Sequence, residues 1–316
     1  MYKMRKIFLS FLVLTLPMMA WADKNGKSGD CQWTFTTSDS KLTISGKGAM
    51  ADYYFMNYAP WDSYASSILA MEVKEGVTNI GSYTCRNCTK LTSVKIANSV
   101  NTIGRLAFYN CSKLNTVVIP EGVSYIDFRA FSNCSSLSTV YLPGSLQSMN
   151  DDVFGNCPLA TVYCSAKTVP TITVEDIGNF NSLSENATLY VPASAIEDYR
   201  STAPWSNFLN ILAMPKCPTP TITCEDGKVK FSCDMEGVTF ISQISAGDAG
   251  GYYSSEIDLG LTYKVSVYAT AEGYENSDVA TTTIQLNSNG IRGDVNQDGV
   301  VNITDAIEVV NIILGN

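Results

Sequence analysis

The stretch that decides the fold runs from Cys111 to Cys134 and reads CSKLNTVVIPEGVSYIDFRAFSNC. Its two cysteines are 23 residues apart, and the same spacing puts Cys88 before them and Cys157 after them. An asparagine precedes each of these four cysteines. A fixed period of roughly 20–50 residues indicates a protein built from stacked repeats. The spacing therefore predicts one structural unit repeated several times through the middle of the chain.

Other apolar columns keep the register of the cysteines. In the segments 91–96, 114–119 and 137–142, the first, fourth and sixth residues are apolar, which we interpret as one parallel strand in each unit. A single unit cannot bury its own apolar face, whereas stacked units share one continuous core. The period falls within the roughly 20–29 residues of leucine-rich repeats. The columns are Leu91, Leu114 and Leu137; Val94, Val117 and Val140; Ile96, Ile119 and Leu142; Ile103, Ile126 and Met149; and Phe108, Phe131 and Phe154.

The pattern Cys-x-x-Leu-x-x-Val-x-Ile-Pro, followed by Ala-Phe-x-x-Cys, resembles the BspA-like, or treponemal-type, leucine-rich repeat over about residues 65–165. The resemblance implies a curved solenoid on a secreted or surface-exposed bacterial protein, with a role in adhesion and host-protein binding. An open solenoid needs capped ends. Residues 23–64 are predicted to form the N-terminal cap, with two strands joined by a turn at 38–40.

Residues 166–214 are predicted to form the C-terminal cap. We expect a last strand over 188–192 and a short helix over 193–199. Large apolar side chains after the helix are expected to cover the open end of the solenoid. They are Trp205, Phe208, Leu209, Ile211 and Leu212.

Four cysteines, Cys88, Cys111, Cys134 and Cys157, occupy one column of the repeat. Neighbouring strands lie about 4.8 Å apart, so this column would form a linear ladder. We predict buried free thiols, because cysteine packs as a small apolar side chain. A zinc site is disfavoured, since zinc needs four converging ligands. Cys85 and Cys88 form a CxxC pair, but both fall on repeat columns and are expected in the core.

Residues 217–287 contain five short segments rich in β-branched and aromatic residues, separated by turn residues. They predict a small antiparallel β-sandwich, which resembles a fibronectin type III or related immunoglobulin-like module. Cys224 and Cys233 flank the first hairpin and would face each other in one register. That register would allow a disulfide between them, with Cys217 as the alternative partner, and the sequence leaves the pairing open.

The tail at 292–316 contains a twelve-residue loop with the spacing of a calcium site. Ca²⁺ prefers six to eight oxygen ligands, and a glycine at position 6 allows the sharp turn that such loops need. The loop is followed by a predicted helix over 305–314, and the segment resembles a single type I dockerin repeat. That resemblance implies a cohesin-like partner. The predicted helix is apolar around most of its circumference, so we expect it to dock on the β-sandwich or on another chain, which includes self-association. The predicted ligands are Asp294, Asn296, Asp298, the Val300 carbonyl, Asn302 and Asp305.

Composition and charge limit the classes of partner that the protein can bind. The 316 residues carry a net charge of −9 and a pI near 4.6, which argues against nucleic acid, whose phosphates need clustered lysine and arginine. Residues 1–22 have a basic start, a ten-residue apolar run at 7–16 and a small-x-small site at 20–22, typical of a signal peptide. An N-terminal anchor is the alternative. No later stretch is long enough to span a membrane, so the mature chain is expected to be exported.

Histidine is absent from the sequence, which excludes Ser-His-Asp and Cys-His catalysis and the usual catalytic zinc sites. We therefore predict a binding protein and no enzyme. The candidate ligand face is the outward strand column of Lys95, Val118, Tyr141 and Tyr163, because paired exposed aromatics suit carbohydrate stacking or a protein hot spot. Ordinary surface residues with β-propensity are the alternative reading of this column.

The sequence thus predicts a mostly β fold with some α. A leucine-rich repeat solenoid is followed by a small β-sandwich and a single calcium-loop-helix tail. The predicted function is adhesion or binding of an extracellular protein or glycan, at the cell surface or after secretion. The alternative is a non-catalytic subunit of an extracellular polysaccharide-degrading assembly, attached through the dockerin-like tail.

Overall fold

The computed structural model describes residues 23–173, 180, 182–225, 228–246 and 261–286. The predicted signal peptide and calcium loop lie outside these ranges. The described part is mostly β, and its one α-helix, α1, is Ile196–Ser201. Short 3₁₀ helices span Asp62–Ser67, Ala193–Ala195 and Trp205–Asn207. The strands are β1 (Lys24–Ser28), β2 (Cys31–Thr36), β3 (Lys41–Gly46), β4 (Gly48–Ala49), β5 (Ala70–Val73), β6 (Val77–Ile80), β7 (Ser93–Lys95), β8 (Thr102–Ile103), β9 (Thr116–Val118), β10 (Tyr125–Ile126), β11 (Thr139–Leu142), β12 (Ser148–Met149), β13 (Thr161–Cys164), β14 (Thr171–Ile172), β15 (Thr188–Val191), β16 (Asn210–Ala213), β17 (Thr221–Glu225), β18 (Lys228–Ser232), β19 (Thr239–Ala246), β20 (Leu261–Thr270) and β21 (Ala280–Leu286).

The N-terminal cap is an antiparallel sheet of β1, β2 and β3, which confirms the predicted strand pair and adds β1 before it. Strand β3 pairs in parallel with β5, so the cap sheet runs directly into the repeats. The cap is filled by Trp61, whose indole Nε1 donates a hydrogen bond to the carbonyl of Thr84 at 2.7 Å. This bond satisfies the one polar atom of a fully buried tryptophan and ties the cap to the first repeat.

Each repeat contributes one strand to each of two parallel sheets. The long-strand side holds β5 and β7, then β9, β11, β13, β15 and β16. The other side is the short-strand sheet β4-β6-β8-β10-β12-β14. The leucine and phenylalanine columns lie between the two sides and are fully buried. Phe108, Phe131 and Phe154 stack along the solenoid with ring centroids 5.1 and 5.7 Å apart. The predicted single core of stacked units is therefore confirmed.

The asparagine that precedes each repeat cysteine has two structural roles. Asn87, Asn110, Asn133 and Asn156 all adopt the left-handed conformation, with φ between 57° and 62°, which asparagine tolerates better than most residues. Their side chains also form a ladder, in which Asn110 Nδ2 donates to Asn87 Oδ1 at 3.0 Å. The asparagine thus turns the chain at one point of each repeat and joins one coil to the next.

The long-strand sheet is interrupted between β7 and β9, which belong to different sheets. Val94 and Ile96 are only partly buried, whereas their counterparts Val117 and Ile119 are buried. Val94 and Ile96 therefore pack against the core, as the sequence predicted, but they are less buried than the same positions of the next repeat.

The C-terminal cap continues the parallel sheet. The sequence had predicted that β15 is the last strand. This is wrong, because β16 follows it and pairs with it in parallel. The predicted short helix is present as a 3₁₀ turn followed by α1. Trp205 and Phe208 are buried as expected, but Leu209 is 71% exposed and Leu212 is also exposed. The expectation that both leucines cover the open end is wrong, since strand alternation in β16 buries Ile211 and turns Leu212 outward.

The described residues between 221 and 286 form an antiparallel pair, β17-β18, and an antiparallel three-stranded sheet, β19-β20-β21. The five strands lie where the sequence predicted them, while the likeness to a fibronectin type III module stays a prediction. Cys224 pairs across the hairpin with Val229, and Cys233 lies beyond the ladder, so these two cysteines do not face each other. A Cys224–Cys233 disulfide is therefore not formed in this register.

Candidate functional site

Three tyrosines form a ladder on the outer surface of the long-strand sheet. Tyr141 pairs with Tyr163, and Tyr163 pairs with Tyr190, on adjacent parallel strands. Their ring centroids are 4.7 and 4.9 Å apart, with interplanar angles of 3° and 12°. The prediction that Tyr141 and Tyr163 stand side by side is confirmed. Tyr190 was missed, although the strand TLYV repeats the patterns TVYL and TVYC and could have revealed it.

The stacking limits what the tyrosine ladder can bind. Tyr163 lies between two rings, so neither of its faces is free to stack on a sugar ring. Between the stacked rings, a ligand can reach only ring edges and phenol hydroxyls. Partial burial raises the pKa of both Tyr141 and Tyr163, with smaller contributions from Glu272 and from neighbouring tyrosines respectively. The hydroxyls therefore stay protonated at neutral pH and can donate hydrogen bonds.

The same outward column becomes charged towards the N-terminal end. Glu72 accepts a hydrogen bond from Lys41 at 2.5 Å and lies 3.2 Å from Lys74 and 3.6 Å from Lys95. The hydrogen bond from Lys41 and the nearby lysine charges lower the pKa of Glu72 to about 2, against a smaller effect of burial. The Glu72 carboxylate thus forms ion pairs with three lysines, so the cluster has a net positive charge. Val118 lies between this cluster and the tyrosines.

A turn of the C-terminal unit covers part of the tyrosine ladder. Gly273, at φ +78°, lies so close that an added Cβ would be 3.0 Å from Tyr163 Cε1 and 3.2 Å from Tyr141 Cε1. The turn is fixed by Glu275, whose Oε1 accepts a hydrogen bond from the Ala193 amide at 2.8 Å. The Glu275 backbone bonds with Pro215 and Cys217, each at 2.9 Å. The candidate face is therefore partly occupied by the chain itself.

Between the strand face and the C-terminal sheet lies a groove of about 910 Å³. Lys95, Val118 and Tyr141 line the solenoid side, and Ile241 and Tyr268 line the opposite side. The groove thus brings together members of the predicted column and adds side chains from β19 and β20. The sequence did not predict this second wall of the groove, because no local sequence pattern indicates how the solenoid and the C-terminal sheet pack against each other.

The cysteine ladder has no catalytic character. Cys88, Cys111, Cys134 and Cys157 are buried, and none is in a disulfide. The Sγ of Cys134 donates to the Phe108 carbonyl at 3.2 Å, and the Sγ of Cys157 donates to the Phe131 carbonyl at 3.1 Å. Hydrogen bonding with neighbouring thiols and burial raise the pKa of Cys85, Cys134 and Cys157. A thiol must ionise to act as a nucleophile, so these side chains are structural.

The predicted calcium ligands at 294–305 lie outside the described residues. Among the described residues, no group of three histidine, cysteine or acidic side chains is arranged to hold a metal ion. In the same part of the chain, no helix combines the length and the apolar character needed to cross a bilayer.

The coils and the outward strand face define a leucine-rich repeat solenoid. Residues 63–180 match the family model described as a BspA type leucine-rich repeat region, with six copies. This match agrees with the resemblance to BspA-like repeats that the sequence pattern indicated. Proteins with such repeats are generally non-catalytic and typically lie at the cell surface or are secreted. None of the curated proteins matches the chain.

Solved structures with similar repeats come from bacteria. A leucine-rich repeat protein from Eubacterium ventriosum is 26% identical over 55% of this chain and 45% of that chain, with a TM-score of 0.49. A leucine rich cell surface protein from Faecalibacterium prausnitzii is 24% identical over 54% and 55%, with a TM-score of 0.31. The T. pallidum leucine rich repeat protein is 19% identical over 52% and 92%, with a TM-score of 0.32. The chain spans about half the length of the first two.

Proposed function

We propose that this chain is a secreted or cell-surface binding protein that holds an extracellular ligand in the groove beside its tyrosine ladder. The observation that carries the proposal is the groove itself, about 910 Å³ in volume and walled by β-strand side chains from both units. Ligand sites are concave and largely pre-formed, with apolar lining and a few placed polar groups. Val118 and Ile241 supply the apolar lining, and Lys95 and the tyrosine hydroxyls supply the polar groups.

Among protein and glycan ligands, the ring geometry favours a protein. Aromatic rings at protein interfaces contribute through their edges and hydroxyls as well as their faces. A sugar that stacks needs a free ring face, which Tyr163 lacks. The proposal therefore assigns the ladder to contact with a polypeptide, while a glycan held by hydrogen bonds remains the second ligand class.

The proposal is tested with the double variant Tyr141→Ser/Tyr163→Ser. We expect it to lose at least about tenfold in affinity for any ligand selected from a panel of matrix proteins and glycans, which is the range of an interface hot spot. Tyr109→Ser, which removes a tyrosine outside the groove, is the matched control and should bind normally. Unchanged affinity in the double variant would exclude the tyrosine ladder as the binding site.

We further propose that the tail binds Ca²⁺ through Asp294, Asn296, Asp298, the Val300 carbonyl, Asn302 and Asp305. The support is the oxygen-rich donor set with Gly299 at the sixth position. Calorimetry should show one site in the wild type and none in Asp294→Ala/Asp298→Ala. A wild type that takes up no calcium at millimolar concentration would refute the dockerin-like assignment.

The dockerin-like tail also supports a second function, a non-catalytic subunit of a polysaccharide-degrading assembly held by a cohesin-like partner. The observation that favours it is Asp305 at the twelfth loop position, followed by the apolar segment 306–314. Self-association through that segment is the competing outcome. Sedimentation of the mature chain with and without Ca²⁺ separates the two, because only self-association raises the mass of the isolated protein.

A further inference from the structure

An exposed turn in the N-terminal cap carries a row of large apolar side chains. Phe55 is 68% exposed and Met56 is 81% exposed, and the nearby Tyr54 and Tyr58 are also exposed. The turn is closed by two backbone hydrogen bonds between Tyr54 and Asn57, of 3.1 and 2.9 Å. Its tip is therefore held in one shape, which reduces the entropy lost when a partner binds.

The backbone of Met56 is itself unfavourable. Its φ of +75° lies in the left-handed region, which bulky residues rarely adopt. Such local strain persists only where the surrounding structure enforces it, and it clusters at functional sites. A methionine that is strained and exposed contributes nothing to the core, so its place at the tip needs another explanation.

The turn continues into a strip of aromatic and arginine side chains along the solenoid. The Tyr53 amide donates to the Ser82 carbonyl, the Tyr83 amide donates to the Arg105 carbonyl, and the Leu106 amide donates to the Phe128 carbonyl. These bonds place the connecting segments of successive repeats side by side. The exposed turn is thus joined through Tyr53 to these segments, and none of the residues named here lines the groove.

Arginine and aromatic rings alternate along this surface. The Arg105 guanidinium lies 4.5 Å and that of Arg129 lies 4.8 Å from the centre of the Phe128 ring, and Arg86 lies 5.9 Å from that of Tyr83. Arg129 is paired with Asp152, whereas Arg86 and Arg105 form no ion pair within the described part of the chain. Two guanidinium groups are therefore available to a partner on a chain whose net charge is −9.

We infer that this surface, defined by Tyr54, Phe55, Met56, Arg86, Arg105 and Phe128, is a second interaction site for a polypeptide rich in acidic and aromatic side chains. Aromatic residues, methionine and arginine are the residue types enriched at the cores of protein interfaces. The two unpaired arginines select carboxylates, which they can bind in a bidentate way. A lipid surface fits less well, because Asp52 and Asp62 flank the turn in sequence and the chain is acidic overall.

The test uses the mature chain on a biosensor and a random copolymer of glutamate and tyrosine as the probe. We expect the wild type to bind this copolymer and to bind polyglutamate about tenfold more weakly, since polyglutamate lacks the aromatic contact. Arg86→Gln/Arg105→Gln and Phe55→Ser should each weaken copolymer binding by about tenfold. Lys95→Gln, which removes a lysine from the groove, is the control and should leave copolymer binding unchanged.

Three outcomes would overturn the inference. The first is that the wild type does not bind the copolymer, and the second is that Arg86→Gln/Arg105→Gln binds it as tightly as the wild type does. The third is that Lys95→Gln loses as much affinity for the copolymer as the arginine variant. Wild-type binding to anionic vesicles but not to the copolymer would assign the surface to lipid instead. Thermal unfolding of each variant shows whether it is folded, and Phe55→Ser removes an exposed side chain, so its result stands if an arginine variant misfolds.

Discussion

The cysteine column shows what a single residue type can predict. Its spacing indicated a ladder of buried thiols, and the structure places the Sγ of Cys111, Cys134 and Cys157 against a backbone carbonyl of the preceding coil. The spacing could be interpreted because every copy meets the same surroundings. Cys224 and Cys233 have no such repetition, and the sequence left their pairing open, because the register of one hairpin sets it.

The thiol ladder has a direct chemical test. We predict that in the native protein the buried ladder thiols react slowly with a thiol reagent, in contrast to the exposed Cys224, because a buried cysteine with a raised pKa exposes no thiolate. After denaturation without reductant, at least the four thiols of Cys88, Cys111, Cys134 and Cys157 should titrate. Detection of no free thiol in the denatured protein would show that the column is oxidised.

Glu72 predicts an acid dependence of stability. Its pKa is lowered to about 2 in the folded protein, from an ordinary value of 4.5. The folded state therefore gains stability from the ionised form above pH 4.5, and loses that gain as the pH falls from 4.5 towards 2. In urea unfolding, we expect Glu72→Gln to show a shallower loss of stability over this range than the wild type.

Glu75→Gln is the matched control for Glu72, because Glu75 is a nearby carboxylate whose Oε1 accepts only a hydrogen bond from the Asn98 amide. Its acid profile should follow that of the wild type. Identical profiles for Glu72→Gln and the wild type would show that the lysine cluster does not stabilise the folded state through this carboxylate.

At the scale of single elements, the sequence predicted the repeat strands, but it did not predict the break in the sheet between β7 and β9 or the extra strand β16. A column that recurs at a fixed spacing identifies β9 and β11 with little ambiguity. The break between β7 and β9 cannot be recognised in the repeat pattern of the sequence, because Val94 and Ile96 are as apolar as Val117 and Ile119. Strand β16 was missed because it lies outside the period, and its outward Leu212 was interpreted as cap packing.

The turn around Gly273 is the element that joins the C-terminal unit to the strand face. A Cβ at this position would contact Tyr163 and Tyr141, in addition to the cost of φ +78°. Gly273→Val should therefore destabilise the protein by about 1–3 kcal/mol and increase amide hydrogen exchange in β13 and β15. The measurement is urea unfolding together with hydrogen exchange read by mass spectrometry.

Gly237 offers a matched control, because its φ of +74° is nearly the same and no atom lies within 4 Å of an added Cβ. Gly237→Val should therefore show the backbone cost alone, without faster exchange in β13 and β15. If both valine variants behave alike, the Gly273 turn does not hold the C-terminal unit on the tyrosine ladder.

At the scale of the whole molecule, the order of the units followed from the sequence, whereas their packing did not. Composition and period separated a repeat region from the β segments that follow it. The groove depends instead on a few long-range contacts, such as the Glu275 carboxylate on the Ala193 amide and Lys216 on Asp278. These partners are 82 and 62 residues apart, and no short pattern connects them.

The central claim is that the ligand lies in the groove between the strand face and the C-terminal sheet. Hydrogen exchange of the mature chain, with and without a matrix-protein ligand from the binding panel, tests it most directly. We predict that ligand slows exchange in β9, β11 and β13 and in the turn at 271–276, and leaves the short-strand sheet unchanged. Protection confined to the short-strand sheet, or to residues outside the groove walls, would contradict this account of where the protein binds.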